Sequence, residues 1–161
     1  MGETHAFHLI SHWRVPGRID TVFDALSDHA GIARWWPELY AEVREVAPGG
    51  PDGAGRVLDV VSRGRLPYRL RWRLRVRDVR RPERIEIEAS GDLIGVGVWT
   101  LRQDGGEADL TYDWRVSVGK PWLRRLRPLL RPLLAANHDW VMARGLDGLR
   151  RELTARADAT G

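Results

Sequence analysis

An α+β fold is predicted for this chain: a seven-stranded curved antiparallel sheet, two short helices after its first strand, and one long C-terminal helix across a face of the sheet. Three observations predict it. Seven runs alternate apolar and polar side chains with period two. Beyond Gly55 the runs are joined by hairpin-length turns with no helical periodicity between them. From Pro121 onward the apolar repeat becomes helical.

Ala6 to Val15 reads as the first strand, with Phe7, Leu9, Ser11 and Trp13 alternating with His8, Ile10, His12 and Arg14. Pro16 and Gly17 stop it. Ile19, Val22, Phe23 and Leu26 then recur at helical spacing with Asp20 in the first turn, which predicts a short amphipathic helix. A second helical turn, Ile32 to Trp36, ends at Pro37, because the residue before proline is pushed out of the α region. Leu39 to Val46 is the next strand, and the Gly/Pro-rich segment Ala47 to Gly55 is a loop between strands, not a domain boundary. Strands follow at Arg56 to Ser62, Leu66 to Val79, Arg84 to Ala89 and Asp92 to Arg102, with a last one at Ala108 to Val118 after the turn Gln103 to Glu107. Together they form one antiparallel meander. Leu123, Leu126, Leu130, Leu133, Leu134, Val141, Leu149 and Leu153 trace one helical stripe, with Pro128 and Pro132 inside it. Proline removes a helical hydrogen bond and clashes with the preceding turn. The expectation is a short helix, a break near those prolines, and a long helix to about Ala157. One domain spanning 1–161 is expected, long enough to bury roughly 70% of the surface the unfolded chain exposes.

Composition excludes several chemistries. With no cysteine, disulfides, thiolate metal sites, iron–sulfur clusters and cysteine nucleophiles are all removed. No apolar run approaches the ~18 residues of a membrane span, and the N-terminus lacks the pattern of a signal peptide, so a soluble, cytoplasmic protein is the expectation. Net charge is +4 with a pI near 10.3, which raises a nucleic-acid reading. The longest basic series, Arg65, Arg69, Arg71, Arg73, Arg75 and Arg77, occupies alternate positions of one strand, and Glu86 and Glu88 alternate on the next. That pattern predicts a solvated sheet face whose charges neutralise each other, at roughly 0.2–1 kcal/mol per cross-strand pair, with no nucleic-acid partner. His5, His8 and His12 suggest a metal, but strand residues four apart lie roughly 13 Å from one another. His29 and His138 lack a spaced carboxylate of the HExxH kind. No phosphate loop, dinucleotide fingerprint or nucleophile elbow is present, so neither metal nor cofactor is expected.

By parity, Tyr68, Leu70, Trp72, Leu74 and Val76 share one face, as do Leu110, Tyr112, Trp114, Val116 and Val118. Between these strands, Leu93, Gly95, Gly97, Trp99 and Leu101 form one parity and Ile94, Val96 and Val98 the other. Glycines within a strand mark a bend or a close approach. One helix does not fill a curved sheet of this width, which leaves room for a ligand.

The element order resembles the helix-grip fold of the START/Bet v 1-like (SRPBCC) superfamily. The Val15-Pro16 strand exit, Phe23 to Asp28, Trp35-Trp36-Pro37, Leu66-Pro67-Tyr68, Ser90 to Leu93, Gly97 to Trp99, Tyr112 to Trp114, Lys120-Pro121 and Asn137 to Met142 are similar to its polyketide cyclase/dehydrase-like bacterial branch. The resemblance covers nearly the whole chain. It implies an elongated pocket between sheet and long helix that holds a small hydrophobic or aromatic molecule, lipid- or polyketide-like. The positions that would line it are Trp36, Tyr68, Trp72, Trp99, Tyr112, Trp114, Asn137, His138 and Val141. Whether Asn137 or His138 points inward is open at this stage.

A carrier or sensor of such a molecule is the leading reading. The alternative is a metal-independent cyclase or dehydratase on a polyketide-like substrate, with His138, Tyr112 or Asn137 moving the proton; whether the chain is an enzyme stays open. A third reading is an interaction module whose basic edge meets an acidic partner. Asp28 reads as the cap of the turn His29-Ala30-Gly31 and Asp92 as a turn residue. Pro121 to Leu134, with arginines and leucines interleaved, reads first as the start of the covering helix, leucines toward the sheet, and second as a segment for an anionic membrane surface.

Overall fold

The computed structural model of the chain describes residues 7–66, 68–119 and 121–160, without the side chains at 123, 124, 127 and 130. The expectations resting on Ala6, His5, Pro67, Lys120, Leu123 and Leu130 therefore lie outside what is described.

Ten residues of strand β1 (Phe7–Pro16) lead into helices α1 (Ile19–Ser27) and α2 (Ile32–Trp35), then β2 (Glu42–Ala47) and β3 (Val57–Ser62). The meander continues through β4 (Leu70–Arg80), β5 (Arg84–Gly91), β6 (Leu93–Asp104) and β7 (Glu107–Val118). Helices α3 (Pro121–Arg125) and α4 (Arg127–Ala159) close the chain. All strand pairs are antiparallel, in the order β1-β7-β6-β5-β4-β3-β2, so β1 pairs with the last strand and the sheet stays open at β2. This is a helix-grip α+β fold. The expected strands are all present, with ends moved by a few residues. β4 starts at Leu70, not Leu66, because the preceding turn is bonded elsewhere: the Gly64 amide donates to the Glu38 carbonyl and the Arg65 amide to Asn137 Oδ1.

The inner face buries Trp13, Val15, Leu58, Val60, Trp72, Leu74, Ile87, Trp99, Leu101, Leu110, Tyr112 and Trp114. On β6 it is the Gly95, Gly97, Trp99, Leu101 parity that faces inward. The outer face carries the expected charge pairing with a shift of partners. A bulge at Arg77 sends that side chain to Glu88 at 3.5 Å and Glu86 at 3.8 Å. Asp59 on β3 takes Arg73 and Arg44, both at 2.8 Å, and these guanidiniums hold its carboxyl down at about 2.

The C-terminal half of α4 is fastened to α1 and α2. Glu152 is buried and bonds Arg34 at 2.6 Å and Arg156 at 3.1 Å, and Arg156 reaches Asp28 at 3.1 Å. Asp28 also accepts the Gly31 amide at 3.1 Å, the turn cap expected of it. Gly145 and Gly148 let the helix lie directly on the tryptophan pair. A Cβ at Gly145 would stand 2.3 Å from Trp36 Cε2, and one at Gly148 would stand 1.9 Å from the Trp35 carbonyl.

The expected short helix, break and long helix are all present at this end of the chain. The break falls at Leu126, two residues ahead of Pro128, and the helix then runs on through Pro132. At the second helical position Pro128 sacrifices an amide with no partner inside the helix, and Pro132 removes only one bond of the next turn. The leucine stripe does not face the sheet along its whole length: Leu126 is 43% exposed and Leu133 50%, while Val141 and Leu149 are buried; Leu129, outside the stripe, is 79% exposed. Leu134, beside Leu133 on the stripe, packs against the core, so at this end only one edge of the stripe is covered.

Candidate functional site

Ring packing divides the space beneath the helix. Trp99 stacks on Tyr112 with centroids 4.4 Å apart, and Tyr112 stacks on Trp114 at 5.8 Å. Trp13 joins the row against Trp99 at 4.9 Å and Trp36 at 5.1 Å. Gly97 makes the stack possible, since a Cβ there would lie 2.5 Å from the Tyr112 hydroxyl and 2.9 Å from Trp114. Burial pushes the Tyr112 phenol well above its ordinary pKa, with the nearby Tyr40 phenol adding to the effect. It is a protonated, packed ring.

On one side of this row lies a cavity of about 100 Å³, walled by Phe7, Leu9, Leu39, Leu66, Leu70, Leu93, Trp114, Val116, Val118, Leu134 and Val141, with Glu38, Ser62, Arg63, Asn137 and His138 as polar members. On the other side a cavity of about 70 Å³ is bounded by Ile32, Trp36, Tyr40, Leu58, Leu74, Trp99 and a polar end of His29, Arg56 and Asp52. Of the nine anticipated positions, Trp114, Asn137, His138 and Val141 come together in the first cavity, and Trp36 and Trp99 border the second. Tyr112 stands between them. Tyr68 and Trp72 line neither of these two cavities. Tyr68 packs edge-on against Trp122 at 5.6 Å, and the Trp72 indole donates to Ser62 Oγ at 2.9 Å.

Both residues of the polar pair on α4 reach the first cavity, because they point to opposite rims. Asn137 Oδ1 accepts the Arg65 amide at 2.7 Å, fastening the β3–β4 turn to the helix. His138 Nε2 lies 3.2 Å from Ser11 Oγ on β1. Burial lowers the His138 pKa, with Asp139 opposing weakly, so its imidazole is neutral at pH 7. A neutral imidazole both donates and accepts, the property that proton transfer requires. Glu38, Ser11 and Gly64 were not anticipated. Their signal lies only in topology, because β1 and the β3–β4 turn meet α4 through contacts more than 70 residues apart in sequence.

Other candidate groups are engaged elsewhere. His8 bonds Asp113 at 2.9 Å and His12 lies 3.3 Å from Thr111, both on the outer face. Asp92 clasps β4, accepting the Arg71 amide at 2.9 Å. A wider groove of about 770 Å³ lies open at the β2–β3–β4 edge, rimmed by Glu42, Arg44, Asp59, Arg71 and Arg73. Its charges largely pair with one another. Among the described residues no helix is long and apolar enough to cross a membrane.

An open antiparallel sheet gripping a long helix, with a largely apolar cavity between them, defines the helix-grip class of folds. The chain belongs to the family described as polyketide cyclase / dehydrase and lipid transport, whose model matches residues 11–154. No curated protein matches it. Among solved structures it is similar to the Zhui aromatase/cyclase from Streptomyces sp. R1128, at 18% identity and a TM-score of 0.71, covering 96% of this chain and 98% of that one. A conserved protein from Geobacillus kaustophilus gives 13% identity and a TM-score of 0.73, with 92% and 96% covered. Norcoclaurine synthase from Thalictrum flavum, in complex with dopamine and hydroxybenzaldehyde, gives 13% and 0.62, with 92% and 87% covered. At these identities the likeness is one of fold.

Proposed function

We propose that the chain binds one small hydrophobic or aromatic molecule in the cavity between β1, β7 and α4. The observation that carries this reading is the wall itself: eleven apolar side chains line a space that also includes Glu38, Ser62, Arg63, Asn137 and His138 in its wall. Apolar pockets with a few fixed polar groups are the usual form of a small-molecule site. A volume of about 100 Å³ is smaller than the ~150 Å³ that holds one benzene ring. Even a single-ring compound therefore requires the wall to give, and a longer one requires more.

A second reading, proton-transfer catalysis of the cyclase or dehydratase type without a metal, is favoured by one observation. His138 is held neutral by burial at the cavity wall with Ser11 beside it. The two readings separate on one variant. His138→Ala is expected to change a carrier's affinity only modestly and to abolish turnover in an enzyme.

Native mass spectrometry of the protein from its own host, followed by denaturing extraction, tests the binding reading. A stoichiometric apolar or aromatic passenger, lost on Trp114→Ala, is the expected result. Bare protein, together with no quenching of tryptophan fluorescence by a panel of hydrophobic ring compounds, would overturn it.

A further inference from the structure

We infer that the surface running from Trp122 to Trp140 docks on an anionic lipid bilayer, with α4 lying on the membrane and not crossing it. Six large apolar side chains are exposed among the described residues, and four of them fall in this stretch: Trp122 at 50%, Leu126 at 43%, Leu133 at 50% and Leu129 at 79%. Leu129 and Leu133 stand one turn apart and share a side of α4, and Trp140, two turns beyond Leu133, continues that side. The guanidiniums of Arg65 and Arg144 each lie 5.4 Å from the centre of the Trp140 ring. One tryptophan, edge-on to Tyr68, thus begins the surface and another, beside two arginines, ends it. Tryptophan is favoured where water meets lipid.

Charge selects the partner. Between Pro121 and His138 the sequence has four arginines, Arg124, Arg125, Arg127 and Arg131, and no carboxylate, so this stretch alone carries as much positive charge as the chain's net +4. Elsewhere arginines are matched, as Arg73 is by Asp59 and Arg77 by Glu88. Arg65, Arg125, Arg131 and Arg144 are exposed and have no carboxylate partner among the described residues. Asp139 is exposed to one side of Trp140, and Asp147, five turns beyond Leu129, is the first carboxylate on the apolar side and closes the surface. A second copy of the chain fits poorly, since a two-fold contact would set these arginines against one another. Anionic headgroups answer them, with the leucines entering the acyl boundary and the arginine stems reaching back to the phosphates. Leu134, next to Leu133, lines the cavity of about 100 Å³, so docking sets that cavity beside the bilayer.

Co-flotation of the whole chain with vesicles tests this. Wild type is expected to float with phosphatidylcholine vesicles containing about one-third phosphatidylglycerol, to be released as salt rises, and to ignore phosphatidylcholine alone. Arg125→Gln combined with Arg144→Gln is expected to weaken binding about fivefold per charge removed. Leu129→Ser combined with Leu133→Ser is expected to weaken it about tenfold or more. Both pairs are expected to keep the wild-type circular dichroism. No flotation of wild type with the anionic vesicles, or equal flotation with both kinds, overturns the proposal. Flotation that the leucine pair leaves unchanged also overturns it, because charge alone would then act, as it would toward an acidic protein or a nucleic acid. Dimerisation without vesicles that the leucine pair abolishes assigns the surface to a second copy instead. None of these readouts needs a ligand in the cavity, so the binding reading stands or falls separately.

Discussion

Burial holds the His138 imidazole below its ordinary pKa, so folding and protonation compete for the same side chain. The unfolded chain titrates near the usual histidine value of about 6.5, and the folded chain lower. This contribution to stability is complete above pH about 6.5 and is lost as pH falls through the folded value, because between the two values the unfolded state binds a proton the folded state does not. Urea denaturation at pH 7 and pH 5 checks this. Wild type is expected to lose more stability over that interval than His138→Gln, which keeps a polar contact with Ser11 and has no proton to take up. Equal losses would mean that His138 stays solvated.

At the scale of elements, α4 is two helices in one. Its second half is notched by Gly145 and Gly148 and tied by Glu152, whereas its first half spans the cavity and carries Leu129 and Leu133 at the surface. Gly148→Ala sets a methyl group 1.9 Å from the Trp35 carbonyl, and overpacking of this kind costs about 1–3 kcal/mol. The lower urea midpoint should come without any change in the outer half, so Leu129→Ser is expected to stay within about 0.5 kcal/mol of wild type. The strands were legible in the sequence because period two survives whatever packs above it, and Asp28 because an Asx turn is local. The stripe on α4 was only half legible. Leu133 and Val141 look alike in a periodic pattern, and only the packing of the folded helix decides which is buried. Glu38 was not legible at all, since its place in the wall depends on a turn that folds back from Ser62 to Leu66.

For the molecule as a whole, the same face that packs the fold forms the candidate site, so stability and cavity shape trade against each other. Trp99 shows this most clearly, being buried between Trp13 and Tyr112 while bordering the smaller cavity. Trp99→Leu is expected to destabilise the fold by about 2–4 kcal/mol, and to raise affinity for two-ring compounds relative to single-ring ones, read by calorimetric titration. Parallel losses for both ring sizes would show that the cavities do not join there. The aromatic row also sets a toll on time as well as on space. If long ligands enter only while the row is parted, and it is parted about 1% of the time, their apparent affinity falls about a hundredfold below the intrinsic one. Their association rate then levels off with concentration at the frequency of that opening, so a chain with small cavities discriminates by ligand length through a clock rather than a fit.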